Sequence, residues 1–203
     1  MPPAGRPRAF DMEAVLDAAM LLFWEQGYEA TSLAQLRAAT GLSSASLYGV
    51  FGSKEGLFKR VVEHYMQGPG SVTAAVEDET AGSREVIGGL LHGSIDMQAD
   101  TSHPTGCLIA LSGTMRAPGE DHAGVRAAVT ARRTADRAHI RQYVERGLAK
   151  GELDPTTETE GLTSLVHGFL LGISTQLRDG VPAPTLHAAA DTLLSNWHQT
   201  EPD

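Results

Sequence analysis

Residues 31–58 read TSLAQLRAATGLSSASLYGVFGSKEGLF. Ser32, with Gln35 three residues on, forms a capping box that leads into Leu33, Leu36 and Ala39 at helical spacing. Gly41 ends this short helix. Ser43 or Ser44 then caps a further segment through Ser46, Leu47 and Tyr48 to Phe51. Two short helices joined by a glycine-containing turn make a helix-turn-helix pattern. Gly52-Ser53 interrupts the chain once more, and Ser53 caps a helix carrying Leu57, Phe58, Val61, Val62 and Tyr65, which stops near Gly68-Pro69-Gly70.

Upstream, Asp11 is a good N-cap for a helix with Met12, Val15, Leu16, Ala19, Leu22 and Phe23 in register, Phe10 and Val15 are placed to staple its start, and Gly27 supplies the stop. Downstream the pattern stays helical, with no alternating strand and no internal repeat. The spacing predicts helices at 83–99, 105–116, 120–150, 157–179 and 184–199. The longest carries sparse apolar positions (Val125, Val129, Ile140, Val144, Leu148) among many arginines, as a helix solvated along one side would. Thr157 with Glu160 reads as a capping box, and Leu162, Leu165, Val166, Phe169 and Ile173 form an apolar stripe in which Gly168 and Gly172 permit close backbone approach. The last two amphipathic helices can pack on their own domain or on a partner subunit; periodicity does not choose.

Composition narrows the function classes. The 203 residues hold 16 Lys plus Arg against 25 Asp plus Glu, a formal charge of -9 that argues against indiscriminate polyanion binding. Any nucleic-acid contact must be local. Up to residue 68 the balance is nearly even, with Arg6, Arg8, Arg37, Lys54, Lys59 and Arg60 against seven acids. One cysteine, Cys107, excludes an intramolecular disulfide and fits a reducing cytoplasm. No apolar run approaches bilayer-spanning length and no signal core is visible, so a soluble intracellular protein is expected.

The stretch from Gly5 to Tyr65 resembles the DNA-binding domain of the TetR family of transcriptional regulators. The resemblance rests on Gly27-Tyr28-Glu29-Ala30-Thr31-Ser32-Leu33, Gly41-Leu42-Ser43-Ser44-Ala45-Ser46-Leu47-Tyr48 and Phe51-Gly52-Ser53-Lys54-Glu55-Gly56-Leu57-Phe58, in that order. It implies an all-α fold of about nine helices: a three-helix DNA-binding head over residues 1–52, a linking helix at 53–67, and an effector-binding and dimerisation domain over 53–203. It also implies a homodimer through the helices near 157–179 and 184–199, a double-stranded operator as partner, and a small-molecule effector.

Carried over by motif position, the recognition helix spans about 43–50, with Ser43, Ser44, Ala45 and Ser46 nearest the base edges. Thr31 and Ser32 at a helix start, Tyr48 and Lys54 suit phosphate contacts, which fix register without reading sequence. Gly49 and Val50 depart from the histidine or other aromatic that many members carry there, and Gly56 stands where a better helix former is usual. Gly5-Arg6-Pro7-Arg8 is either a basic arm for a minor groove or a plain chain end. Candidate effector-pocket positions, taken from the apolar stripes, are Leu91, Ile95, Cys107, Leu108, Leu111, Met115, Tyr143 and Phe169. Such a lining favours an apolar or amphipathic ligand.

Other readings are blander. Cys107 reads as a small buried hydrophobe, with a reactive thiol or metal ligand as the sharper alternative. The histidines (64, 92, 103, 122, 139, 167, 187, 198) are dispersed without a His-x-x-x-His pair, so no metal and no cofactor is expected. The arginines of 126–146 sit among Asp136 and Glu145 as a solvated face would. Trp24 and Trp197 belong to amphipathic helices. No GxSxG, GxxxxGK[ST] or HExxH occurs, which disfavours an enzyme. A helical adaptor that keeps the fold without binding DNA is the remaining alternative to a repressor, suggested by Gly49, Val50 and the nearly neutral head.

Overall fold

The computed structural model describes residues 10–73, 81–112 and 123–197, and among these it is all-helical. The helices are α1 (Met12–Ala30), α2 (Leu33–Thr40), α3 (Ser44–Phe51), α4 (Lys54–Gln67), α5 (Ser83–Ala99), α6 (Leu108–Leu111), α7 (Ala123–Ala149), α8 (Thr159–Arg178) and α9 (Ala183–Leu194), with a 3₁₀ turn after α4. No helix among the described residues is long and apolar enough to cross a membrane. The basic segment at residues 5–8 and Met115 lie outside the described residues.

Local chemistry sets the head. The Asp11 carboxylate accepts from the amides of Glu13 and Ala14 at 3.0 and 3.4 Å. Gly27 breaks the regular path of α1 with φ 80° and ψ 163°. The capping box of Ser32 and Gln35 opens α2, and Gly41 closes it at φ 68°, a left-handed conformation that a Cβ would penalise. Ser43 and Ser53 cap α3 and α4 through their side-chain oxygens.

Two apolar clusters follow. The first gathers Leu16, Phe23, Trp24, Leu36 and Leu47 of the head with Leu57, Phe58 and Tyr65 of α4, and takes in Leu108, Ile109, Val125 and Val129. The second joins Ile87, Leu91 and Ile95 of α5, Ile140 and Val144 of α7, Val166 and Ile173 of α8, and Leu186, Leu194 and Trp197. α7 belongs to both, with its first turns under the head and its later turns in the second cluster. Five of its six arginines are engaged: Arg132 with Asp136, Arg137 with Glu160, Arg141 with Glu145 and Glu160, and Arg146 with the Ala81 carbonyl, while Arg133 donates to the carbonyls of Ile109, Ala110 and Ser112. Most of the basic stretch is thus paired within the chain.

Three local expectations are corrected. Within the described part of 105–116 only Leu108–Leu111 is helical, because Gly106 turns at φ 96° before it and Ser112 is extended after it. Glu158, not Thr157, caps α8, accepting from the amides of Glu160 and Gly161, since Asp154 folds the preceding residues into a turn that ties up the Thr157 amide. α9 stops at Leu194, which lets Trp197 turn inward, bridge to Leu153 and donate its indole N–H to Ser83 Oγ at 3.1 Å.

Ser83 in turn donates its amide and its hydroxyl to the buried carboxylate of Glu152, at 2.7 and 2.5 Å. Glu152→Ala strands both donors, and we expect it to cost about 2–3 kcal/mol. For a chain of this size that lowers Tm by roughly 4–12 °C, measurable by calorimetry.

Candidate nucleic-acid interface

α3 is held on the head by Leu47, 4% exposed, with Phe51 partly buried beside it. Ser44, Ala45, Tyr48 and Gly49, spaced i, i+1, i+4, i+5, consequently share the outward side, and all four are exposed. Three of them are small, so Tyr48 is the one large side chain on that face. A helix this slender fits a major groove about 12 Å wide with its backbone close to the base edges.

The N-terminal serines are already engaged with the helix start. Ser43 Oγ accepts from the Ser46 amide at 3.1 Å and lies 3.0 Å from Ser46 Oγ. Ser32 is exposed at the start of α2, its hydroxyl donating to Gln35 Oε1 at 2.8 Å while the Gln35 amide group reaches Gln26. Thr31 is placed differently from its exposed neighbour: it is fully buried, and its hydroxyl donates to the Gly27 carbonyl at 2.7 Å. Its side chain closes the end of α1, so only its backbone could meet a phosphate.

Lys54 opens α4 with its ammonium 4.3 Å from the centre of the Tyr28 ring, a cation–π contact that fixes where the charge sits. Burial pulls its pKa below the usual lysine value, and the negative charge of Glu29 acts the other way. It borders a groove shared with Tyr48 and Phe51. Across α3, Arg37 is exposed on the rim of a concavity formed with Ala34, Gly41 and Ser43. Arg37 is not among the contacts carried over by motif, although it is the one basic residue between Arg8 and Lys54. Lys59 and Arg60 are paired with Glu55 and Glu63. Among the described residues, Arg37 and Lys54 thus remain as the cations flanking α3.

A second site lies where the head meets the helices behind it. A largely enclosed, mainly apolar cavity of about 20 Å³ is lined by Tyr65 and Met66 of α4, Ser94, Met97 and Gln98 of α5, Cys107, Ile109 and Ala110 around α6, Asp136 of α7, and Leu170 and Leu171 of α8. It has room for about one water molecule. Ser94 Oγ is buried there without a hydrogen-bond partner. Burial raises the Asp136 pKa against the opposing charge of Arg132.

Of the pocket positions read from the apolar stripes, Cys107 lines this cavity. Leu91, Ile95 and Tyr143 are packed into the second cluster with Phe169 against it, Leu108 is in the first, and Leu111 is partly buried elsewhere. The physical reason is that a stripe of large side chains fills space, whereas a gap opens beside its polar and flexible neighbours. Those neighbours are Ser94, Met97 and Gln98.

Cys107 accepts a hydrogen bond from the Tyr65 hydroxyl at 3.2 Å, and its amide donates to Ser174 Oγ at 3.0 Å. Burial pushes the thiol pKa up, the Tyr65 bond only partly opposing it; burial does the same to Tyr65, which stays a donor. Cys107 is therefore held as a protonated thiol at neutral pH. We expect iodoacetamide at pH 7.5 to alkylate it at least ten times more slowly in the native chain than in urea.

The family model for bacterial regulatory proteins of the tetR family matches residues 15–61. The repressor ComR of Escherichia coli K12 is 30% identical over 194 residues, covering 95% of this chain and 91% of that protein. The repressor BdcR of the same organism is 45% identical over 62 residues, 30% of this chain and 32% of that protein. The TetR family regulator CifR, solved as a cysteine mutant in complex with 26-base-pair operator DNA, is 36% identical, with a TM-score of 0.86 over 95% of this chain and all of that one.

Proposed function

Because the chain belongs to the TetR family and is a DNA-binding transcriptional regulator, we propose that it acts as a homodimeric repressor released from a palindromic operator by a small ligand. The observation that carries this reading is the outward face of α3, smooth but for Tyr48 and flanked by Arg37 and Lys54. The head ends near residue 52, α4 links it to the rest, and the rest senses and dimerises. Function rests on binding, with no catalysis, and the site of action is the cytoplasm.

Contacts divide by role. Ser44, Ala45 and Gly49 bring the α3 backbone to the base edges, with Ser43 and Ser46 at its start, while Ser32, Tyr48, Lys54 and Arg37 hold phosphates. The operator complex of CifR supports a DNA partner of this kind. Dimerisation uses α8 and α9: Leu165 is 54% exposed on α8, and Gly168 beside it is open to close approach. Two heads so joined meet successive major grooves about 34–36 Å apart.

The effector enters the cavity behind α4. As it stands the cavity holds nothing larger than water, so a ligand must part its walls, and those walls include Tyr65 and Met66 of the helix that carries the head. A ligand that favours parted walls disfavours the DNA-bound spacing, and by linkage DNA weakens ligand binding by the same factor. The apolar lining suits an amphipathic molecule, with Ser94 Oγ available to its polar group.

Selection from a random duplex library tests the reading. A palindrome should emerge, and the double variant Tyr48→Ala, Lys54→Ala should lower affinity for it about 100-fold with a shallower salt dependence. Failure to select any sequence would favour an adaptor without DNA binding.

A further inference from the structure

The fold brings face to face two histidines that stand 95 residues apart in the chain, one on α5 and one on α9. His92 Nδ1 and His187 Nδ1 are 2.7 Å apart. The rings lie within 11° of parallel with centroids 5.0 Å apart. That separation equals the nitrogen–nitrogen distance plus one ring radius on each side, so the rings meet end-on, nitrogen to nitrogen.

The outer nitrogens are crossed between the helices. His92 Nε2 lies 3.1 Å from Asp191 Oδ1 on α9, and His187 Nε2 lies 3.0 Å from Asp96 Oδ1 on α5. An ionised carboxylate only accepts, so each Nε2 carries the proton and each Nδ1 presents a lone pair to the other. Two facing lone pairs at this distance need a cation between them. It is either a shared proton or a metal ion, and the carboxylates are placed as the outer partners that orient metal-ligating histidines and raise their basicity.

We propose that His92 and His187 bind a divalent transition-metal ion, of which Zn²⁺ and Ni²⁺ are the probes, and that this ion staples α5 to α9. Imidazole suits such ions, and the two exposed aspartates add negative charge around the site. With metal–nitrogen distances of about 2.0–2.1 Å, tetrahedral geometry sets the two nitrogens about 3.3 Å apart and bends the approach, so the rings must separate by roughly 0.6 Å and each turn by about 35° to aim its lone pair at the ion. Both side chains are about one-third exposed (33% and 29%) and can swing outward. No group of three potential ligands converges among the described residues, so water completes the coordination and the ion is exchangeable. The staple would fix the helix that contributes Ser94, Met97 and Gln98 to the cavity.

Calorimetric titration of the tag-free full-length chain with Zn²⁺ and Ni²⁺ tests this. One ion per chain should bind with micromolar affinity and raise Tm. His92→Gln with His187→Gln should abolish that event, and Asp96→Asn with Asp191→Asn should weaken it about 10- to 100-fold at unchanged stoichiometry. Circular dichroism checks that both variants fold. No binding at millimolar metal would mean the pair shares only a proton, and wild-type affinity in the double-histidine variant would place the ion elsewhere; either result overturns the proposal.

Discussion

Ala45→Glu should weaken operator binding about 30-fold or more and leave the fold untouched. Ala45 is exposed in the middle of the outward face of α3, so glutamate there displaces no packed atom, and glutamate is at least as compatible with a helix as its neighbours. On DNA the outcome differs: the carboxylate enters a groove walled by phosphates and occupies space that a methyl group left to the base edges. A misfitted contact costs about 1–3 kcal/mol per half-site, and a dimer meets it twice. The expected loss is therefore about 2–6 kcal/mol, roughly 30-fold to 2 × 10⁴-fold in Kd. Fluorescence anisotropy on the selected palindrome reads the affinity, and unchanged Tm and far-ultraviolet dichroism confirm the fold. Retained affinity would show that α3 is not the reading helix.

Leu165→Arg should separate the subunits. Leu165 is the most exposed large apolar side chain among the described residues, at 54%, and it stands on α8 beside exposed Gly168. None of the described residues covers it, so arginine is tolerated by the monomer, while two arginines brought together across a two-fold axis repel and lose the apolar contact. We expect light scattering to move from dimer to monomer at micromolar concentration. Operator affinity should fall at least 100-fold, because each head then binds its half-site alone. A dimer that persists would remove α8 from the interface.

The two substitutions act on different requirements for binding. Ala45→Glu removes reading with dimerisation intact; Leu165→Arg removes pairing with the reading face intact. If both weaken binding while only the second changes mass, the reading helix and the dimer face are separately established.

Much of the head is legible from residues 11–58, because its determinants act within a few residues of themselves. Asp11, Ser43 and Ser53 cap the helices that follow them, Ser32 with Gln35 forms the capping box, and Gly41 ends α2 through its own backbone freedom. The exposed face of α3 follows from one buried leucine and helical periodicity. Where local signals compete, tertiary demands win. Trp197 leaves its helix to reach Ser83, and Thr31, at a helix start like Ser32, turns inward to Gly27.

The sequence by itself determined an all-helical chain with a helix-turn-helix at residues 32–51, since helix starts, stops and stripes are short-range and their spacing is written in the chain. Only the tertiary structure decided where the cavity lies, that Arg137 and Arg141 of α7 meet Glu160 and Arg133 meets the α6 carbonyls, and that His92 meets His187. A cavity is the small remainder of packing among five helices, and a pair of side chains 95 residues apart shares no local signal. Both depend on how helices cross, which no single stripe encodes.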